Sequence, residues 1–254
     1  RSWFGKDHNT PAFAASQAGP FDKWPTGLGF EYFYGFVGGD ANQWQPNLFR
    51  NTTQIYPFKG DPEWNLITGM ADDAIEHINR LNQVDPDKPF FVKYAPGATH
   101  APHHPTKEWV EKISAMKLFD DGYEKLRERI FANQKKLGAI PADAVLEPWP
   151  KDVLKPWDEL TDTERKLFIK QVEIFVAYAA YTDHEIGRVI QAIDDMGKLA
   201  NTLVNSINGD NSTRAEGGLL GTPNEVAYFN GVTKMPAETQ MKWYDVWGTE
   251  ETYN

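Results

Sequence analysis

The stretch Lys88–His104, KPFFVKYAPGATHAPHH, joins an apolar run to a loop that holds three histidines. Pro89–Ala95 is bounded by Pro and by Pro-Gly, a pattern typical of a buried β-strand. The loop that follows places His100, His103 and His104 within five residues. Ligands of open α/β sheets bind beyond the carboxyl ends of strands, so we expect a functional site here.

Two other stretches repeat this design, in which an apolar run is followed by polar side chains. Asn201–Ile207 precedes Asn208–Asn211, and Trp3–Phe4 precedes Gly5–His8. Three predicted strand ends therefore carry lysine, histidine, aspartate and asparagine. This combination suits a site that holds an anion beside a hard cation.

The chemistry of these side chains leaves alternatives open. Asp210 and Asn211 offer the oxygen ligands that Ca²⁺ or Mg²⁺ prefers, although Gly-Asp-Asn is also common in ordinary turns. The three histidines of the loop could bind zinc, or they could be structural or merely exposed. Lys6 and His8 alternate along a short extended segment, so they are expected to point to the same side.

Two pairs of adjacent titratable residues elsewhere are interpreted as structural. Asp72-Asp73 looks like a carboxylate pair, but adjacent residues on a helix diverge in direction, so a role in the first helical turn is expected. His184-Glu185 begins like the zinc signature HExxH, but Arg188 stands where that signature requires its second histidine. The pair is therefore predicted to lie on a helix surface.

Length and composition narrow the class of protein. The 254 residues suffice for one large domain, and 41% hydrophobic and 24% charged residues are typical of globular proteins. A net charge of −10 and a pI of about 5.1 argue against nucleic acid or an anionic membrane as a partner. The absence of cysteine excludes disulfides, thiolate zinc sites and a cysteine nucleophile in this chain. No apolar run reaches the roughly 20 residues of a membrane span.

Helical and irregular segments alternate with the predicted strands. Residues 12–61 are rich in Gly, Pro, Asn and aromatic residues, and they are predicted to be irregular but packed. The alternative for this aromatic segment is a surface for carbohydrate or an aryl substrate. Residues 138–160 are rich in proline and are predicted to form a connection without regular structure. Helical periodicity predicts helices over Thr68–Val84 (capped by Thr68), Lys107–Ala115 and Tyr123–Leu137.

The strongest predicted helix begins after Thr161, where Thr-Asp-Thr-Glu forms a capping box, and ends near Gly197. Its apolar stripe is expected to lie against a sheet, and a strand over residues 202–207 follows at once. Helix, short turn, strand and polar loop together indicate the α/β class. The stripe consists of Phe168, Val172, Phe175, Ala179, Thr182, Ile186, Val189, Ile193 and Met196.

Four motifs follow one another along the chain. They are GKDHNTP at 5–11, PFFVKYAPGATHAPHH at 89–104, YTDHEIGRVIQAI at 181–193 and NTLVNSINGDNSTRAEGG at 201–218. Their order resembles that of type I, formylglycine-dependent sulfatases, and the chain is similar to a bacterial arylsulfatase within the alkaline-phosphatase-like superfamily. The resemblance implies an α/β three-layer sandwich with a mostly parallel central sheet, and one catalytic domain over residues 1–254.

The resemblance also implies roles for individual residues. Lys6 corresponds to a lysine that binds a sulfate oxygen, and His8 to a histidine that contacts the formylglycine and helps to expel sulfate from it. His100 corresponds to a histidine on the sulfate ester near the leaving oxygen. Asp210 and Asn211 correspond to two ligands of a calcium ion, for which Mg²⁺ or Mn²⁺ could substitute.

The chain also departs from the family pattern. The nucleophile motif C/S-x-P-x-R and the paired aspartates of the calcium site are absent from residues 1–254, and Ser212 stands where the family has Gly. A further lysine is expected downstream of Asn254, and no role is implied for His103 or His104. We therefore expect an internal portion of a longer protein, without its N-terminal nucleophile segment and its C-terminal portion. The 254-residue chain alone is expected to be inactive.

The implied activity of the longer protein is hydrolysis of an aryl or carbohydrate sulfate ester. Its partner would be a small-molecule sulfate ester, and its location would be periplasmic or secreted. One alternative is a phosphonate or phosphate ester hydrolase, since both kinds of ester require the same electrostatics. A second alternative is a non-catalytic segment that binds anions.

Overall fold

A computed structural model describes residues 1–207 and 217–253. Its centre is a sheet of five strands in the order β4-β3-β2-β1-β5. Strand β1 occupies the second position from one edge, and its side chains are almost all buried because both faces of the sheet are covered. The strands are β1 (Ser2–Asp7), β2 (Tyr32–Val37), β3 (Leu48–Arg50), β4 (Thr53–Ile55) and β5 (Val92–Ala95).

The sheet is mixed, with a parallel part and an antiparallel part. Strands β2 and β5 both pair with β1 in parallel, whereas β3 and β4 extend the sheet in antiparallel orientation. Two of the three parallel strands, β1 and β5, carry sequence motifs at their carboxyl ends. The α/β class expected from the sequence is confirmed.

The prediction that residues 12–61 are irregular was wrong in part, because three of the five strands lie there. β2 is the run YFYGFV, whose aromatic residues favour strands. β3 and β4 form a short hairpin around Asn51, which adopts a positive φ of 56°. The prediction of close packing was right, since Trp24, Phe33 and Phe49 are fully or almost fully buried.

Each face of the sheet has its own apolar cluster. On one face Phe4, Tyr34 and Phe36 pack with residues of the first long helix. On the other face Trp3 and Phe33 pack with Trp24 and with other aromatic side chains from the segment that precedes β2. The alternation along β1 and β2 follows the two-residue period of a strand.

Six α-helices lie within residues 1–207 and 217–253, and the first of them packs on β1 and β2. The first begins at an Asn65 cap, whose side chain accepts a hydrogen bond from the amide of Ile67 at 3.0 Å. Thr68 is therefore inside the helix, and the prediction that it caps the helix was wrong. The helices are α1 (Leu66–Val84), α2 (Lys107–Ala115), α3 (Tyr123–Lys136), α4 (Asp162–Asp195), α5 (Glu225–Phe229) and α6 (Ala237–Gln240).

Helix α4 is the longest element, and its capping box is present as predicted: Thr161 and Glu164 each bond the other's backbone amide. Its apolar stripe, however, does not lie directly on the sheet along its length. The amino-terminal half buries Leu167, Ile174 and Tyr178 against α2, α6 and neighbouring segments. The carboxyl-terminal half packs on α1, where Val189 lies against Ala74 and Ile78.

The strand predicted over residues 202–207 is absent from the sheet. A short 3₁₀ turn, Leu199–Asn201, ends α4, and the following residues are extended without strand partners. Leu203 is 84% exposed and Ile207 is 93% exposed. The polar pair Asn205-Ser206 would be buried in a central parallel strand, and this penalty opposes the predicted pairing.

Among the helices of the described ranges, none combines the length and the apolar character needed to cross a bilayer. Helix α4 has 34 residues, but charged side chains occur along its whole length. Its length therefore reflects packing against several helices.

Strands β1 and β2 approach each other closely at two glycines that share a register position. Gly5 lies opposite Gly35, and a Cβ atom added to Gly35 would lie 1.9 Å from the Gly5 carbonyl oxygen. Gly5 has a φ of +101°, and a Cβ atom there would lie 2.0 Å from the carbonyl oxygen of Ala95. Side chains at either position would push the three parallel strands apart.

Candidate active site

The carboxyl ends of β1, β2 and β5 meet at one edge of the sheet. In the parallel register, Lys6 lies beside Phe36 and Gly5 lies beside Ala95. The chain leaves these strands through His8, through Gly38-Gly39 and through the histidine loop. The register therefore brings two of the predicted site segments to the same edge.

The loop after β1 is shaped by Asp7, for which the sequence analysis predicts no separate role. Asp7 is completely buried, and its two carboxylate oxygens accept bonds from the Asn9 amide at 3.0 Å and the Thr10 hydroxyl at 2.7 Å. The signal that could have found it is the Asp-x-x-Thr spacing, which is typical of side-chain-capped turns. This turn fixes the backbone on both sides of His8.

His8 itself is exposed, and its ring lies against the loop that follows β2. A Cβ atom added to Gly39 would lie 3.2 Å from Cε1 and 3.3 Å from Nε2 of His8. The absence of a side chain at Gly39 therefore leaves room for the imidazole at the sheet edge.

The histidine loop crosses from β5 toward β2. Gly97 lies against the Phe36 ring and the Gln43 side chain, since a Cβ atom added to it would be 3.1 Å and 3.5 Å from them. Strand β1 lies between β5 and β2, so this loop passes the end of β1 at the level of Lys6, the register partner of Phe36. The His100 amide donates to the Gly97 carbonyl at 3.1 Å, which makes a turn of this crossing.

His104 anchors the loop, which gives it a structural role that the sequence did not reveal. Its ring is 1% exposed, its Nδ1 accepts from the Gln43 amide at 3.4 Å, and its Nε2 lies 2.8 Å from the Thr252 carbonyl oxygen. Because a carbonyl can only accept, Nε2 carries the proton. The carbonyl of His104 also accepts from the Asn65 side chain at 3.1 Å, so the loop is tied to the start of α1.

His103 also has structural contacts. Its amide donates to the Tyr253 carbonyl at 2.9 Å, and its ring packs edge-on against Phe175 at 5.3 Å and near Tyr178 at 5.9 Å. Both aromatic residues belong to α4. Of the three histidines, His103 and His104 thus attach the loop to the surrounding fold, and His100 precedes these attachments at the sheet edge.

The burial of His104 predicts a pH dependence of stability. Burial lowers the pKa of His104 from its usual 6.5, and the smaller effects of the Thr252 bond and the Glu250 charge oppose this shift. Below about pH 6.5 the unfolded state therefore binds more protons than the folded state. We expect full stability above that pH and a progressive loss as the pH falls below it.

Thermal melts between pH 7.5 and pH 5 test this expectation. A His104→Gln variant should show a weaker fall in Tm on acidification than the unmodified chain. The exposed His184 is the matched control, and His184→Gln should keep the original pH dependence. Burial also lowers the pKa of His77, so part of the dependence should remain in both variants. An identical pH profile in His104→Gln would contradict the assignment.

Asp210 and Asn211 lie outside the described residues, so their position relative to Lys6 and His100 stays a prediction. Across residues 1–207 and 217–253, no group of three or more His, Asp or Glu side chains is arranged to hold a metal ion. A metal site that includes Asp210 and Asn211 therefore stays a prediction.

The acidic pair Asp72-Asp73 links α1 to other elements, and the prediction of a role in the first helical turn was wrong. Both residues lie beyond that turn, because α1 begins at Leu66. Asp73 accepts bonds from Arg50 at 2.6 Å and from the Tyr32 hydroxyl at 2.5 Å, which joins the helix to β3 and β2. Asp72 accepts from Arg188 of α4 at 2.7 Å.

The pair His184-Glu185 is divided between surface and interior. His184 is exposed beside the ring of Trp109, as predicted, whereas Glu185 is only 4% exposed, so the prediction of a surface position was wrong for it. Glu185 accepts from Arg188 at 2.5 Å and from the Thr68 hydroxyl at 3.2 Å. It therefore stabilises the contact between α1 and α4, and a buried carboxylate of this kind requires such partners.

Comparisons with known proteins agree with the motifs at this edge. An uncharacterized sulfatase of Schizosaccharomyces pombe is 27% identical over 238 residues, which cover 88% of this chain and 43% of that protein. An arylsulfatase of Klebsiella aerogenes is 23% identical over 199 residues, which cover 76% of this chain and 42% of that protein. The chain thus spans about two fifths of the length of these curated relatives.

A solved structure titled "Crystal structure of Ps i-CgsB" is 13% identical, with a TM-score of 0.44, and the match covers 78% of this chain and 34% of that chain. The family model described as Sulfatase matches residues 2–239. Because that match includes nearly all of the chain, from the first strand to α6, the chain belongs to the sulfatase family.

Proposed function

We propose that this chain is the anion-binding part of a sulfuric ester hydrolase that acts on an aryl or carbohydrate sulfate. The observation that carries the proposal is the crossing of the histidine loop over the end of β1. That crossing supports a shared site for Lys6 and His100, and His8 follows at the same edge. Membership of the sulfatase family and the similarity to an arylsulfatase support the reaction class.

In the proposed reaction, the side chains of this chain bind the sulfate group and transfer protons to and from the reacting oxygens. Lys6 neutralises charge on a sulfate oxygen, which stabilises the transition state more than the ground state as charge develops. His100 lies at the bridging oxygen, and donation of a proton there makes the departing alcohol or phenol a better leaving group. His8 accepts or donates a proton on the opposite side of the sulfur.

A formylglycine in the longer protein would supply the nucleophilic hydroxyl, and a divalent cation would add positive charge beside the sulfate. The chain has no cysteine, and within residues 1–207 and 217–253 no group of three or more His, Asp or Glu side chains is arranged to hold a metal ion. We propose that Asp210 and Asn211 are two oxygen ligands of that cation. The remaining ligands would have to come from elsewhere, since calcium takes about six to eight.

This shortage of ligands leads to a prediction about calcium. We expect residues 1–254 alone to bind calcium weakly or not at all, because two protein oxygens replace too little of the hydration shell of the ion. Isothermal titration calorimetry with CaCl₂ measures this directly, with a titration of Asp210→Ala as the control for adventitious binding. A single tight site with a one-to-one stoichiometry would contradict the prediction.

The activity is tested with the longer protein and with the 254-residue chain side by side. We expect the longer protein to release 4-nitrophenol from 4-nitrophenyl sulfate, and the 254-residue chain to release none above a boiled control, because covalent catalysis needs a nucleophile. Faster turnover of a phenylphosphonate ester would reassign the substrate class. Sulfate binding without turnover of either ester by the longer protein would leave only an anion-binding function.

A further inference from the structure

A second concave site lies away from the sheet edge, between α3, the proline-rich connection and the amino-terminal half of α4. It encloses a cavity of about 490 Å³, and Leu219-Leu220 close it on one side. None of the five strands and no residue of the histidine loop contributes to its wall. The site is therefore separate from the proposed sulfate site, although both use α4 as a wall or support.

Aromatic side chains form a rigid frame on one side of this cavity. Tyr123 of α3 stacks on Trp149 of the connection, with ring centroids 4.8 Å apart and an angle of 15° between the planes. Trp157 meets the Tyr123 ring edge-on at 5.3 Å. Gly122 is required for this packing, since a Cβ atom there would lie 2.4 Å from the Trp157 ring.

Two polar atoms of this frame, on Tyr123 and Trp149, are already bonded to the chain. The Tyr123 hydroxyl donates to the Lys155 carbonyl, and Trp149 Nε1 donates to the Leu154 carbonyl at 3.0 Å. The ammonium group of Lys155 pairs with Glu164 at 3.0 Å, and Glu164 also caps α4. A ligand in the cavity therefore meets ring faces and aliphatic side chains, with little free hydrogen-bonding capacity.

We propose that this cavity is a binding site for an uncharged organic molecule built from two aromatic groups. Its volume is within the roughly 300–1,000 Å³ of typical ligand pockets. Tyr123, Trp149 and Trp157 all line the cavity, and aromatic side chains favour aromatic partners in offset-stacked or edge-to-face contact. A charged ligand is disfavoured, because Lys155 and Glu164, the two charged residues of the lining, already pair with each other. The proposal does not depend on the sulfatase activity.

The probe for this site is N-phenyl-1-naphthylamine, an uncharged dye with one phenyl and one naphthyl group, whose emission rises in apolar surroundings. We expect saturable binding to the 254-residue chain at one site per molecule. Val153 is at the mouth of the cavity and 63% exposed, so Val153→Trp should fill the mouth with little effect on folding. We expect the Kd of the dye to rise at least about tenfold in this variant.

Val145→Trp is the matched control, because Val145 belongs to the same connection and is 85% exposed but does not line the cavity. The Kd of the dye for this control should equal its Kd for the unmodified chain. Leu219→Trp, on the opposite wall, should weaken binding as Val153→Trp does, and far-UV circular dichroism confirms that each variant is folded. Absence of saturable binding, or equal Kd values in all variants, would overturn the proposal. A dimer that the dye separates into monomers would assign the cavity to a second copy of the chain and overturn it too.

Discussion

Replacing Lys6 or His100 with alanine is expected to lower the turnover of an aryl sulfate by about 10²–10³-fold in the longer protein, the usual effect of removing one preorganised charge or donor. Lys6 would be lost from the end of β1, and His100 from the loop that crosses it. Both side chains act more strongly on the transition state than on the bound ester. We therefore expect kcat to fall and KM to rise much less.

Steady-state kinetics with 4-nitrophenyl sulfate measure these effects. Lys88→Ala is the matched control, since Lys88 is exposed and precedes β5, whereas the histidine loop follows that strand. This control should retain the original rate. A His100→Ala variant with an unchanged rate would show that the histidine loop is only structural, and it would remove His100 from the proposed site.

Local signals in the sequence predicted several elements closely. The helix over Lys107–Ala115 has the predicted bounds, and the capping box of Thr161 and Glu164 starts α4 as expected. These predictions succeeded because the interactions that decide them lie within one or two turns of chain. Thr68 shows the converse: Asn65 precedes it with an equally good capping side chain, and the threonine bonds Tyr181 instead.

The strands were harder to predict, because their pairing depends on distant residues. The run YFYGFV becomes β2 only through pairing with β1, about thirty positions earlier in the chain. Residues 202–207 show the opposite error. Their apolar residues predict a strand, but these residues do not pair with the sheet. Strand formation depends on edges and registers that a single sequence does not specify.

The candidate site was predictable only in outline. The rule that sites follow the carboxyl ends of parallel strands placed Lys6, His8 and the histidine loop at one edge, and the register agrees with that placement. The supports of the site were not predictable in the same way. His104 bonds Thr252, a residue 148 positions away, and no local pattern connects the two.

Gly35→Ala is expected to lower the free energy of unfolding by about 3 kcal/mol or more, the upper end of the usual effect of overpacking. The added Cβ atom would lie 1.9 Å from the Gly5 carbonyl oxygen and 2.7 Å from its carbon. These are backbone atoms of the neighbouring strand, so no side-chain rotation can relieve the clash. Strands β1 and β2 would have to separate at the position that precedes Lys6.

Thermal unfolding of the 254-residue chain measures this effect, and a loss of about 3 kcal/mol should lower Tm by at least about 6 °C in a domain of this size. Gly187→Ala is the matched control, because Gly187 is an exposed position in α4 with no atom within 4 Å of an added Cβ. Alanine should stabilise that helix by roughly 0.5–1 kcal/mol. The same substitution is thus expected to have opposite signs at the two glycines. Equal Tm values for Gly35→Ala and the unmodified chain would show that the two central strands do not approach as closely as their register requires.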